Sequence, residues 1–191
     1  MQIRTALVTA VVLSSTISCI DPDDPNAAAD AADAAGDGTA ADRPTTYITG
    51  TPTVKGVVAE VTIANSLVTR LPVAGEEWDA GGMHSITLNT SRFVAPIDGI
   101  YQVSGTIEWR ASTGGTQRYV SVRRNGSTEV SVSQVAPVKS TVQFTSQVIS
   151  GQVKLTAGQY IEAFVLQDSG ASLNIVGGSS HIDVSWIALG S

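Results

Sequence analysis

Two histidines, three clustered carboxylates, a short basic run and one cysteine are the residues of this 191-residue chain whose types could do chemistry. His84 and His181 are the only histidines and stand about a hundred positions apart. An imidazole pair could converge on a metal ion or activate a nucleophile. Yet no Gly-x-Ser-x-Gly, His-Glu-x-x-His or phosphate-binding glycine motif accompanies them. They read as loop or strand-edge histidines, with no catalytic residue assigned and no enzyme expected. Glu76, Glu77 and Asp79 form the densest acidic group of the later chain, in the segment AGEEWDAGG at 74–82. Hard oxygen ligands in a glycine-flanked loop suit calcium, although the spacing is not that of an EF-hand. The same composition also fits a solvated loop, and no other cofactor is expected. Arg118, Arg123 and Arg124 with Tyr119 offer guanidiniums and a ring to an acidic sugar. Strand alternation sends Arg123 and Arg124 to opposite faces, so a charged edge that resists strand addition is the better reading.

The only cysteine, Cys19, has no partner for an intramolecular disulfide and no Cys-based metal spacing. It ends a stretch with an early Arg4, an apolar run ALVTAVVL and small polar residues, the pattern of a secretory signal over 1–19. That run is too short to span a bilayer. Thr16-Ile17-Ser18-Cys19 resembles the bacterial lipobox, with Thr16 where Leu, Val or Ile is usual. The resemblance implies that Cys19 becomes a lipid-bearing N-terminus with three acyl chains. Each buried methylene contributes about 0.8 kcal/mol, so several chains anchor firmly where one holds weakly. Without the lipid, the same stretch describes an exported protein cut near Cys19. Asp21 lies one place beyond the residue that follows the cysteine, which points the expectation to the outer membrane or cell surface.

Charge divides the rest of the chain. Residues 20–51 hold seven Asp against one Arg, whereas residues 52–191 are nearly neutral, with nine Lys or Arg against ten Asp or Glu. Residues 20–50 are rich in Ala and Asp, and 21–46 carry no aromatic or large aliphatic side chain. Such a stretch lacks the apolar surface to offset the entropy of ordering, and its like charges extend it. It reads as a disordered linker holding a domain at 52–191 away from a surface. A nearly neutral domain gives nucleic acid no concentrated basic face.

The elements that must position any site are strands. Charged residues make up only 15% of the chain, while Gly, Ser, Thr and Val are abundant. In 99–110, Tyr101, Val103, Gly105, Ile107 and Trp109 alternate with Gln102, Ser104, Thr106 and Glu108, a half-buried antiparallel strand. Further strands are predicted over 57–64, 67–73, 84–88, 91–95, 118–124, 129–135, 142–155, 160–166 and 181–189. Gly151 is expected to mark a bulge or bend, and Asn125-Gly126 a two-residue hairpin turn. The segments 74–83, 111–117 and 167–180 read as the loops on which ligands would be met. Eight to ten strands without a helix argue for a sandwich or barrel, with the terminal strand central. Tyr160–Leu166 is apolar on both faces, which calls for burial on both or for a partner.

The order Phe93-x-Ala95-Pro96-x-x-Gly99-x-Tyr101, then Asn125-Gly126, then Leu155-x-x-Gly158, then Trp186 resembles the complement C1q head domain. That family shares its jelly-roll β-sandwich with tumour necrosis factor. The resemblance covers roughly residues 55–190. It implies that Phe93, Pro96, Gly99 and Tyr101 build the core and the turn entering the long strand. It also implies a homotrimer. The chain departs from the family at Gly158-Gln159, where Gly-Asp is common, and in its last strand, Asp183-Val184-Ser185-Trp186-Ile187. The expected function is a lipid-anchored, trimeric head that binds a protein or glycan in adhesion or recognition. The alternatives are a structural surface or appendage component without a soluble ligand and, further off, a hydrolase on a sandwich scaffold.

Overall fold

The computed structural model describes residues 50–190, so the expectations for Cys19, for the signal and for all of the linker except Gly50 lie outside the described residues. Twelve strands form two antiparallel sheets among the described residues. They are β1 (Thr53–Val57), β2 (Val61–Ile63), β3 (Thr69–Arg70), β4 (Gly75–Asp79), β5 (Arg92–Val94) and β6 (Gly99–Trp109). The rest are β7 (Arg118–Arg124), β8 (Thr128–Val135), β9 (Thr145–Leu155), β10 (Tyr160–Gln167), β11 (Leu173–Ile175) and β12 (His181–Ala188). One sheet runs β2-β11-β6-β12-β1-β4 with β9 also on β6; the other runs β3-β10-β7-β8 with β5 also on β10.

β6 buries its odd-numbered residues and leaves the even ones partly open, as its alternation requires. It lies between β12 and β9, pairing with β9 residue for residue from Gly99↔Leu155 to Trp109↔Thr145. The core between the sheets includes Phe93, Tyr101, Ile107, Trp109, Val120, Ile161, Val165, Ile182 and Val184. β12 sits between β6 and β1, so the terminal strand is central.

Several expected elements differ. The stretch 57–64 is two strands, because β1 follows β12 while β2 follows β11, and between them Val58 bonds to Ser180 and Gly178 in the link that joins β11 to β12. The 67–73 strand shrinks to Thr69–Arg70; Pro72 has no amide hydrogen, and the next donor, Val73, reaches Thr90 instead. Half of the predicted acidic loop is the edge strand β4, which is open on both faces and so shows no apolar alternation. The 84–88 segment is a turn with a single bridge, His84↔Phe93, because the Ser85 hydroxyl draws in the amides of Thr87 and Leu88. β9 starts at Thr145 rather than 142, and β11 lies inside the predicted 167–180 loop. Gly151 makes no bulge. A Cβ there would lie 2.9 Å from that of Ser131, where the edge strands β8 and β9 of the two sheets meet. Ser131 Oγ donates to Ser150 O at 2.7 Å, and Gln147 Nε2 donates to Ser133 O at 2.6 Å, closing that side of the sandwich.

Candidate functional site

The motif positions meet at one corner. Phe93 is buried between the sheets, and Ala95, just before Pro96, exchanges backbone bonds with Gln159 and Gly158. Tyr101 OH donates to Ile97 O at 2.7 Å, and Trp186 Nε1 donates to Asp98 O at 3.2 Å. Burial holds the Tyr101 phenol above its ordinary pKa. A Cβ at Gly99 would collide with the Trp186 indole, so glycine is required by contact. Asn125 and Gly126 both take positive φ, 49° and 72°, and the Asn125 side chain accepts the amide of Tyr160 at 3.1 Å. These residues are structural, building the turn and corner that the motif implies.

The acidic trio shares no site. Glu76 bonds to His84 at 2.8 Å, and Glu77 pairs with Lys55 at 2.6 Å. Asp79 accepts three backbone amides, from Gly81, Met83 and His84, at 2.9–3.1 Å. Among the described residues no group of three or more His, Cys, Asp or Glu is placed to hold a metal ion. The histidines also stay apart. Gly56 pairs with Glu76, the partner of His84, and the next residue, Val57, pairs with His181. Consecutive strand residues face opposite ways, so the sheet separates the two imidazoles.

The basic run disperses as well. Arg118 is wholly buried, donating to Gln117 O at 2.8 Å and facing Asp168 at 3.7 Å, and burial pushes its pKa down. Tyr119 OH donates to Glu129 at 2.6 Å, Arg123 lies over the Phe164 ring at 4.5 Å, and Arg124 reaches Lys154 O. Asp168 joins two of the predicted ligand loops. It accepts from Thr116 Oγ1 at 2.6 Å and from the amides of Thr116 and Gln117. The Thr116 hydroxyl first, and then the Gln117 amide, lower its pKa to about 2.

Pattern reading missed a buried charge network on β10. Glu162, 1% exposed, accepts from Ser91 Oγ at 2.7 Å and meets Arg70 Nε at 3.3 Å and Arg92 Nε at 3.4 Å. Arg92 and Arg123 stand directly across from it on the flanking strands. Arg70 and Arg123 lie over Phe164, and Arg92 over Tyr160 at 4.2 Å. The outer face of β10 is thus covered from within the chain, which answers its two-sided apolar pattern without a partner. A Glu set among YIEAFVLQ was the available signal.

The outward face of the seven-stranded sheet is different. Register lays out rows across it: Thr53, Ser185, Gln102 and Gln152; then Trp78, Lys55, Asp183, Ser104 and Ser150; then Val57, His181, Thr106 and Val148. None of the described strands packs over these rows. Val148 is 66% exposed in mid-strand, and Ile187 is 46% exposed near the end of β12. Within the second row Asp183 Oδ1 is buried without a hydrogen-bond partner, and desolvation raises its pKa despite His181 at 3.6 Å.

Two sheets in this strand order, closed by a central terminal strand, align with solved structures. Murine APRIL at pH 5.0 is 12% identical with a TM-score of 0.55, over 72% of this chain and all of that one. Eiger TNF from S. frugiperda is 11% identical with a TM-score of 0.58, over 74% of this chain and 95% of that one. Murine APRIL at pH 8.0 is 15% identical with a TM-score of 0.53 and covers the same shares as the pH 5.0 form. The fold is a TNF-like jelly roll. At these identities the likeness concerns the fold alone. No family model and no curated protein matches the chain.

Proposed function

We propose that the chain is an exported protein anchored through lipid on Cys19, whose jelly-roll head self-associates as a trimer and binds a protein or glycan at a cell surface. The observation that carries this reading is the uncovered face of the seven-stranded sheet, where Val148 and Ile187 stand exposed among small polar side chains. Such a face accepts another surface at low desolvation cost, and charged residues on it are few. The TNF-like fold and the C1q-like motif agree with a homotrimer. Three heads then raise the effective concentration of weak loop sites, and avidity follows. Binding falls to the loop unit stapled by Asp168, since it is rigid yet open to solvent. No catalytic role is assigned in the head: each histidine faces a single carboxylate, His84 with Glu76 and His181 with Asp183, and the sheet keeps the two pairs apart.

The test is absolute mass by light scattering on the chain with and without a calcium chelator, followed by a glycan array. A trimer that survives chelation and a reproducible ligand support the reading. A monomer refutes the trimer and its avidity, and a trimer with no ligand leaves a purely structural component.

A further inference from the structure

His84 differs from His181 in being closed off: its side chain has no exposed surface, whereas that of His181 is 28% exposed. Its ring stacks on Phe93 with centroids 5.0 Å apart. Nδ1 stands 2.8 Å from Glu76 Oε1 and Nε2 stands 2.9 Å from Thr90 O. Both neighbours are acceptors. A neutral imidazole has one donor nitrogen and one acceptor nitrogen. In this setting it satisfies one oxygen and points a lone pair at the other, with the side chain closed to water. The imidazolium donates to both, and Glu76 supplies the opposite charge.

We propose that His84 is a proton-operated latch that fastens the segment 80–91 to β4. With the proton on, the ring ties Thr90, at the far end of that segment, to Glu76 on the strand. The near end is held separately, by the three amides that Asp79 accepts. With the proton off, one of the two ring bonds opens, and the Thr90 end is left to its other bonds, the amide of Val73 on Thr90 O and the Ser91 hydroxyl on Glu162. The segment carries Ile86 and Leu88, both about half exposed, so the latch sets how this apolar pair is presented. Of the charged groups on the elements around the ring, Glu76 alone bonds to it. Glu77 and Lys55 pair with each other, Asp79 is held by backbone amides, and Arg92 is bonded to Glu162. Residues 85–91 carry no charged side chain.

The experiment is nitrogen NMR of the histidine rings together with amide hydrogen exchange in the full chain, from about pH 5 to about pH 8.5, the range in which imidazoles as a class exchange their proton. The expected result is an His84 ring carrying hydrogen on both nitrogens at the acid end. Protection of the amides in 80–91, corrected for intrinsic rates, falls about tenfold as that proton leaves, the scale of one charge-assisted bond. Glu76→Gln, which keeps the shape and removes the charge, lowers the protection of 80–91 at the acid end, while His181→Ala leaves the response in place. A neutral His84 ring at the acid end, or protection of 80–91 that ignores pH, overturns the latch. A response unchanged in Glu76→Gln overturns it as well.

Discussion

Replacing Glu162 by Gln tests the charge network on β10 at its centre. Glu162 is 1% exposed and Arg92 is 4% exposed, so neither gains water when the other is altered. Gln keeps the size and can still accept from Ser91, but it removes the carboxylate that faces Arg70 and Arg92 in this network. Breaking a buried pair costs about 3–5 kcal/mol, mostly because a charge is left uncompensated. Arg70 is about a quarter exposed and recovers solvent, and Arg92 keeps its place over the Tyr160 ring, so a loss at the lower end, about 3 kcal/mol, is expected. For a domain of this size that is a fall in Tm of roughly 10 °C. Urea unfolding followed by the fluorescence of buried Trp109 reads it as a lower midpoint at unchanged slope. Adding Arg92→Met to Glu162→Gln removes the buried charge that has lost its carboxylate, so the double variant is more stable than Glu162→Gln alone. A loss below about 1 kcal/mol in the single variant, or no recovery in the double, refutes the view that Glu162 holds this sheet face together.

Four other outcomes are expected. Asp168 has its folded-state pKa lowered to about 2, so its stabilisation is full above its unfolded pKa and is lost as pH falls through the folded value. Asp168→Asn therefore flattens the acid limb of an unfolding-versus-pH curve and, after solvent screening, costs about 1 kcal/mol at pH 7. Gln147→Leu leaves the indole of Trp109 and the carbonyls of Arg118 and Ser133 without their buried partner, a loss of about 3 kcal/mol by chemical denaturation. Gly99→Ala forces the new methyl into Trp186 and lowers stability by about 2 kcal/mol, read as an earlier thermal midpoint. Cys19→Ser moves the protein from the membrane to the soluble fraction and abolishes incorporation of a labelled fatty acid; retention of both refutes the anchor.

What the sequence disclosed follows from how local each signal is. The β7–β8 hairpin was legible because Asn125 and Gly126 tolerate positive φ next to each other, and β6 was legible because one face is core and the other open. β4 was not, since an edge strand open on both faces buries too little to leave a period in its residues. The Glu162 network depends on four strands, β3, β5, β7 and β10, meeting in one register, and adjacent letters do not encode that. Gly151 was recognised as special for the wrong reason: approach of the other sheet, not a bulge, excludes a side chain there. The acidic trio looked like a unit because sequence shows three neighbours, whereas the folded chain shows three separate partners.

The pairing of β1 with β12 has a consequence for timing. Thr53 and Ser185 share a hydrogen bond at 132 positions' separation, and β12 is also the strand that joins β1 to β6. A chain emerging from its N-terminal side therefore carries β1 with one of its two partners, β12, not yet made. The larger sheet cannot close until the residues up to Ala188 are free to enter it. Long-range closure of this kind places folding in the slow millisecond-to-second class of all-β domains. Until it happens, β1 is an open strand edge, and the last few residues of the domain act as the signal that ends that exposure.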